Sequence, residues 1–98
     1  MFVVVAQWYA KAGADDEIAE VLKIAVRNSR AEPGCVLFMA NRSLDDPREF
    51  VLYEQFVDKA AFEAHLATDS FKENVAGRIL PLLESRARHV CELIEPGS

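Results

Sequence analysis

Two segments of this chain have apolar side chains on both faces of a predicted strand, and this feature restricts the fold most. In residues 2–9 and 35–41, apolar side chains occupy nearly every position. Because successive side chains of a strand point to opposite faces, both faces of each predicted strand are apolar. A strand of this kind is normally covered on both sides. The chain has only 98 residues, of which 51% are hydrophobic, so one small core does not bury them all and association is expected.

The first helix is predicted over residues 16–31, where apolar side chains recur every three or four positions. Asp15 and Asp16 lie at its start and are predicted to supply an N-cap and favourable negative charge at the helix N-terminus. Ser29 is the polar member of the buried stripe. We expect its hydroxyl to bond a carbonyl one turn back, although it could also point into a cavity.

The second helical region is predicted over residues 59–66, with Asp58 as its N-cap. After a short interruption, Ser70 and Glu73 have the spacing of a capping box, which predicts that the helix starts again. Pro81 should kink or end this segment, because proline has no backbone N–H to donate.

Two further strands complete the predicted order β-α-β-β-α-β. They cover residues 48–57 and 86–94, and the Asp-Asp-Pro turn at 45–47 predicts a hairpin before the first of them. This order is typical of a single α+β domain, a ferredoxin-like plait over residues 1–98. Two helices cover one face of such a sheet. We therefore predict that a second copy covers the other face, giving a homodimeric α+β barrel with one pocket per subunit.

One carboxylate and one imidazole fall on otherwise apolar faces. Glu54 shares a strand face with phenylalanine and leucine, and His65 lies on the apolar stripe of the following helix. If that helix folds back onto the strand, both side chains line one pocket. They then form either an acid/base pair or a polar pair that fixes the packing, and the residues alone leave both interpretations open.

The bulk properties narrow the choice of partners. The formal charge is −5, which argues against nucleic acid. The opening MFVVVAQWYA has no basic region or cleavage site and is too short to span a membrane. Cys35 and Cys91 form no metal motif and are expected to be buried free thiols. These features predict a cytoplasmic protein.

Several segments resemble the antibiotic biosynthesis monooxygenase family. They are SRAEPGC at 29–35, FVLYE at 50–54, the pattern D-x-x-A-F-x-x-H at 58–65, and Phe71. That family includes quinol monooxygenases and an isomerase that processes a phosphorylated quorum-sensing signal. The resemblance covers nearly the whole chain and implies the same plait and dimer.

The chain departs from related families at identifiable positions. Haem-degrading relatives are expected to carry Asn, Trp and a proximal His where this chain has Ala6, Phe56 and Val75. Haem degradation is therefore not expected. The segment that often reads Ser-Pro-His-Phe in the resembled family is Thr-Asp-Ser-Phe at 68–71 here, so a second pocket histidine is missing.

The resemblance implies cofactor-independent oxygenation, in which a deprotonated phenol or quinol supplies electrons to oxygen. The sequence has no phosphate-binding loop, dinucleotide fingerprint or zinc-ligand spacing, and no cofactor or metal is expected. On this view His65 is the general base and Glu54 orients it. The remaining expected substrate contacts are polar side chains (Ser29, Asn74, Arg78) and aromatic walls (Trp8, Phe38, Phe56, Phe62, Phe71).

Two alternatives use the same residues. An acid/base pair in an apolar pocket could enolise a small dicarbonyl, which would make the protein an isomerase. Alternatively, Glu54 and His65 only satisfy one another, and the chain is a non-catalytic small-molecule-binding or stress-response module.

Overall fold

The computed structural model describes residues 1–97. Its elements are β1 (Phe2–Ala10), α1 (Asp15–Arg30), β2 (Cys35–Arg42), β3 (Glu49–Phe56), α2 (Lys59–Leu66), a π-helix (Phe71–Ile79), a 3₁₀ turn (Leu80–Leu82) and β4 (Leu83–Glu92). This order confirms the predicted ferredoxin-like α+β fold. Among the helices of residues 1–97, none is long and apolar enough to cross a membrane.

The four strands form one antiparallel sheet in the order β2-β3-β1-β4. Along β1, Val4, Ala6 and Trp8 are buried, whereas Gln7 between them is exposed. The buried set faces the helices, because successive side chains point to opposite sides of a strand. The core therefore lies between the sheet and the helical layer, and its largest fully buried side chains are Phe50, Phe56, Ile18, Leu52, Ile79, Val4 and Val21.

The N-terminus of α1 differs from the prediction. Ala14 is the N-cap residue and makes no side-chain capping bond, while Asp15 and Asp16 lie inside the first helical turn. Both carboxylates bind the Arg42 guanidinium at the end of β2, with a separation of 3.0 Å for Asp16. The negative charges still favour this helix end through its dipole, but their hydrogen bonds go to a side chain across the domain.

The second helical region is partly as predicted. Asp58 caps α2 by accepting a hydrogen bond from the Ala61 N–H at 2.8 Å. The capping box at Ser70 was wrong, since Ser70 makes no capping bond and Thr68 Oγ1 accepts the Phe71 N–H at 3.1 Å. The restarted helix is a nine-residue π-helix, a rare form that is often found beside functional sites.

The last strand begins earlier than predicted. Pro81 lies inside the 3₁₀ turn and ends the helical region, so β4 starts at Leu83 rather than at residue 86. Both cysteines are free, as expected. Cys91, however, is exposed near the end of this strand, which contradicts the prediction of two buried thiols.

Gly34 allows the segment before β2 to lie directly against α2. A Cβ added at this position would overlap the Cβ of Ala61. Gly34→Ala should therefore lower the free energy of unfolding by about 1 to 3 kcal/mol, because the packed helix must move to make room. Urea denaturation measures the change. Gly97→Ala is the control, because nothing lies within 4 Å of its added Cβ; equal stability of both variants would contradict the prediction.

Candidate active site

A cavity of about 320 Å³ lies between the sheet and the helices. This size is at the small end of the range of about 300 to 1,000 Å³ that is typical of ligand pockets. Its walls come from β1, β2, β3, β4, α2 and the π-helix. The lining side chains are mostly apolar, and the ionisable residues among them are Glu54, His65, Arg86 and Arg88.

His65 reaches this cavity from α2, where it is only 4% exposed. Four phenylalanine rings surround its imidazole, with centroid separations of 5.2 to 6.3 Å. They are Phe38, Phe56, Phe62 and Phe71. This packing holds the ring plane in place, so the imidazole presents a defined edge to the cavity.

Glu32 is the residue that orients His65, and the sequence analysis did not identify it. Its two carboxylate oxygens lie 3.0 and 3.1 Å from Nδ1 of the histidine. The Nδ1–H donates to this carboxylate, which leaves Nε2 as the nitrogen available to the cavity. Glu32 stands in the turn after α1, directly before Pro33 and Gly34. The one signal for it was an acidic residue inside the SRAEPGC segment.

Glu54 reaches the cavity from β3, where it lies opposite Phe38 of β2. It is 5% exposed, and burial raises the pKa of its carboxyl from 4.5 to about 8. The nearby Arg88 charge opposes this shift and the Glu32 charge adds to it. Glu54 is therefore largely protonated at neutral pH, which makes it a hydrogen-bond donor beside a histidine.

The Nε2 atom of His65 and the Oε1 atom of Glu54 are 3.9 Å apart. This separation is too long for a direct hydrogen bond. A substrate oxygen about 2.8 Å from each atom could, however, bond to both at once. The two groups therefore offer one acceptor and one donor to the same ligand oxygen.

Most of the expected aromatic contacts lie around this pair. Trp8, Phe38, Phe62 and Phe71 line the cavity. Phe56 does not; it is fully buried behind His65, with its ring centroid 5.2 Å from the imidazole. Its place in the structure is support for the histidine.

The three expected polar contacts lie outside the cavity lining. Ser29 is buried on α1. Asn74 donates a hydrogen bond to the Ser70 hydroxyl at 3.2 Å, away from the cavity. Arg78 is exposed on the π-helix. The structure thus brings Glu54 and His65 together with the aromatic walls, but it does not bring these three side chains to them.

The cavity lining is largely apolar and aromatic, with few ionisable side chains. In the part of the chain that the structure describes, no group of three or more His, Cys, Asp or Glu side chains is placed to hold a metal. The walls are apolar and aromatic, with the polar groups gathered around Nε2 and at β4. Such a distribution orients one polar edge of a flat, apolar ligand.

The chain matches the family model described as antibiotic biosynthesis monooxygenase over residues 1–77. A crystal structure of an antibiotic biosynthesis monooxygenase superposes with a TM-score of 0.90 at 27% identity, covering 97% of this chain and 100% of the other. A crystal structure of a Shewanella oneidensis protein superposes with a TM-score of 0.85 at 31% identity, covering 92% of this chain and 87% of the other. A crystal structure of a Pseudomonas aeruginosa protein superposes with a TM-score of 0.89 at 26% identity, covering 96% of this chain and 94% of the other. No curated protein matches. The family match spans most of the chain, which therefore belongs to the antibiotic biosynthesis monooxygenase family.

Proposed function

We propose that this protein is a cofactor-independent monooxygenase that oxygenates an electron-rich phenol or quinol. The observation that carries the proposal is the placement of His65 Nε2 and the Glu54 carboxyl, 3.9 Å apart, in an aromatic-walled cavity. Family membership supports a monooxygenase, and the cavity supports a small aromatic substrate.

The proposed reaction uses the substrate as its own reductant. His65 Nε2 takes the proton of a substrate hydroxyl, while protonated Glu54 donates a hydrogen bond to the same oxygen. The resulting anion gives electrons to O₂, and oxygen bonds to an activated ring carbon. In the overall change a phenol and O₂ become a quinone and water, because the ring C–H and the hydroxyl O–H are both replaced by carbonyl groups. All four electrons come from the substrate, and the apolar walls exclude bulk water from the reactive anion.

Glu32 takes the orienting role that the sequence analysis gave to Glu54. It contacts Nδ1, the nitrogen remote from the substrate, and its negative charge stabilises the imidazolium formed during proton transfer. Glu54 lies on the substrate side of the ring and acts on the substrate directly. The two carboxyls therefore lie on opposite sides of the imidazole and have different tasks.

The test is oxygen consumption with quinols, anthrones and flavonoid-like phenols under ¹⁸O₂. We expect one labelled oxygen atom in each product molecule and one O₂ consumed per product. Because such compounds autoxidise, the rate is compared with the same protein carrying His65→Ala. Uptake by the wild type that never exceeds this background would overturn the proposal.

Enolisation is the second candidate, and the donor–acceptor pair favours it specifically. A dicarbonyl oxygen placed between Nε2 and the Glu54 carboxyl could be polarised by one group while the other moves a proton. Deuterium exchange from solvent into a small dicarbonyl under anaerobic conditions would support an isomerase instead, if the protein also shows no oxygen uptake.

We further propose that two copies pack sheet to sheet. The face of the sheet away from the helices presents Val5, Leu37, Met39, Val51 and Tyr53. Leu37 and Met39 on β2 are 36% and 42% exposed, so the open face carries exposed apolar side chains that a second copy would cover. Sedimentation should give twice the chain mass of 11.0 kDa, and a monomer at micromolar concentration would contradict the dimer.

The proposed setting is the cytoplasm, with a small aromatic molecule as ligand rather than nucleic acid. Free thiols at Cys35 and Cys91 are typical of a reducing compartment. The formal charge of −5 disfavours binding to a phosphate backbone.

A further inference from the structure

Two arginines on the edge strand β4 form one wall of the cavity. Arg86 and Arg88 both line it, and they pair in register with Trp8 and Ala6 of β1. Because Ala87 stands between them, their side chains share the face that the helices cover. Their side chains are therefore on the opposite side of the sheet from the open face that we assign to the dimer interface.

Neither arginine has an acidic partner within 4 Å among residues 1–97, although the chain has 16 acidic and only 11 basic residues. Glu84, two residues before Arg86, instead binds Arg48 at 2.9 Å. Glu92 lies four residues beyond Arg88, roughly 13 Å away along an extended strand. By contrast, Arg42 and Arg48 are both paired with carboxylates.

The acid inside the cavity does not neutralise this wall either. Burial raises the pKa of Glu54 to about 8, even though Arg88 opposes the shift. At neutral pH the carboxyl keeps its proton, so the Arg88 charge remains uncompensated. The cavity thus combines the Glu54–His65 pair on one side with two positive charges on the other.

We propose that the cavity selects an aromatic substrate that carries an anionic group, such as a carboxylate, and that Arg86 and Arg88 bind that group. This rests on the proposed function, because it defines the substrate class of the same site. The Arg88 guanidinium lies 5.4 Å from the Phe62 ring centroid, which holds it by a cation–π contact. Its N–H groups remain free for a planar carboxylate, which a guanidinium binds in a forked geometry.

Binding at β4 also orients the ring. A ligand held by its anionic group at the arginines points another edge toward Nε2 of His65. A hydroxyl on that edge reaches the position between Nε2 and the Glu54 carboxyl. The arginines therefore act in specificity and in orientation, whereas proton transfer stays with His65.

Titration calorimetry without oxygen tests the inference with 6-hydroxy-2-naphthoate and its uncharged amide, 6-hydroxy-2-naphthamide, in which the hydroxyl and the acid group lie at opposite ends of the ring system. We expect the wild type to bind the acid at least tenfold more tightly than the amide. Arg88→Gln and Arg86→Gln should each weaken acid binding about tenfold and leave amide binding unchanged. Arg27→Gln removes the same charge from an exposed position on α1 and should change neither affinity.

Equal affinity for acid and amide would overturn the inference, as would an equal loss in Arg27→Gln and Arg88→Gln. The binding assay needs no turnover, so it separates the two proposals. If the acid binds selectively through the arginines but no substrate consumes oxygen, only the proposed reaction fails. If a carboxylated quinol is oxygenated with the same kcat/KM by the wild type and by the double arginine variant, and a neutral quinol reacts at least as well, only the anionic substrate class fails.

Discussion

Replacing His65 by alanine should lower the rate of enzyme-dependent oxygen uptake by two to four orders of magnitude. A general base contributes on the order of 10² to 10⁴ in rate, and His65 Nε2 faces the cavity 3.9 Å from the Glu54 carboxyl. The substrate anion would then form only by spontaneous ionisation. An oxygen electrode measures the rate at saturating quinol, after subtraction of autoxidation without protein.

Two comparisons separate chemistry from folding in this experiment. His65 is 4% exposed among four phenylalanine rings, so its removal leaves space that added imidazole could fill. Recovery of part of the rate with imidazole would identify the lost function as proton transfer. Uptake that is unchanged in a folded His65→Ala protein would end the assignment of His65 as base.

Glu32→Gln provides a graded comparison. The amide can still accept from Nδ1–H, but it carries no charge to stabilise the imidazolium. We expect kcat to fall by less than in His65→Ala, with KM nearly unchanged, because Glu32 contacts the ring nitrogen remote from the cavity. A change in KM alone would instead place Glu32 in substrate binding.

The hydrophobic periodicities predicted the fold because each of them reports on one local element. The continuous apolar run in residues 2–9 and the helical stripe in residues 16–31 predicted the correct elements within a few residues. The same periodicities placed Glu54 and His65 on inward faces. The structure brings both to one cavity, while their catalytic roles stay predictions.

Glu32 was missed because its direction depends on tertiary contact. In the sequence it belongs to a Glu-Pro-Gly turn, which indicates only where a helix ends. Its carboxylate meets His65 because Gly34 lets this turn approach Ala61 of α2. No local pattern carries that information, since the two residues are 33 positions apart.

The arginines of β4 were missed for a similar reason. Alternation assigned Arg88 to a strand face, but the strand lies at the sheet edge and its residues from Glu84 onward are exposed. Whether an exposed arginine faces solvent or a cavity depends on where the helical layer ends. The π-helix also escaped the prediction, because Ser70 and Glu73 fit a capping box whose hydrogen bonds do not form.

The second large effect expected is on stability: Glu54→Gln should make the protein more resistant to unfolding at high pH. Burial raises the pKa of Glu54 from 4.5 to about 8, so the folded state binds a proton that the unfolded state has lost between these values. Wild-type stability therefore contains a contribution that falls as pH rises from about 4.5 to 8 and is constant above. Glutamine has the same shape and does not ionise.

The expected gain at pH 9 is on the order of 2 to 4 kcal/mol, since each pKa unit corresponds to about 1.4 kcal/mol and the surroundings relax around the charge. At pH 4 the two proteins should differ by less than about 1 kcal/mol. Urea denaturation at pH 4, 6, 7.5 and 9, with the protein concentration held constant, measures the difference in free energy of unfolding between the two proteins. Glu73→Gln, on an exposed helical surface, is the control and should show no such trend.

A difference between Glu54→Gln and the wild type that stays constant with pH would mean that folding leaves the pKa of Glu54 unshifted, so that the carboxyl is ionised in the folded protein at neutral pH. That result would also remove the proton donor from the proposed site, because an ionised carboxylate can only accept hydrogen bonds. The stability curve thus tests the chemistry without any substrate. The burial that costs stability at high pH is the same burial that keeps a proton on Glu54, 3.9 Å from the histidine nitrogen that faces it.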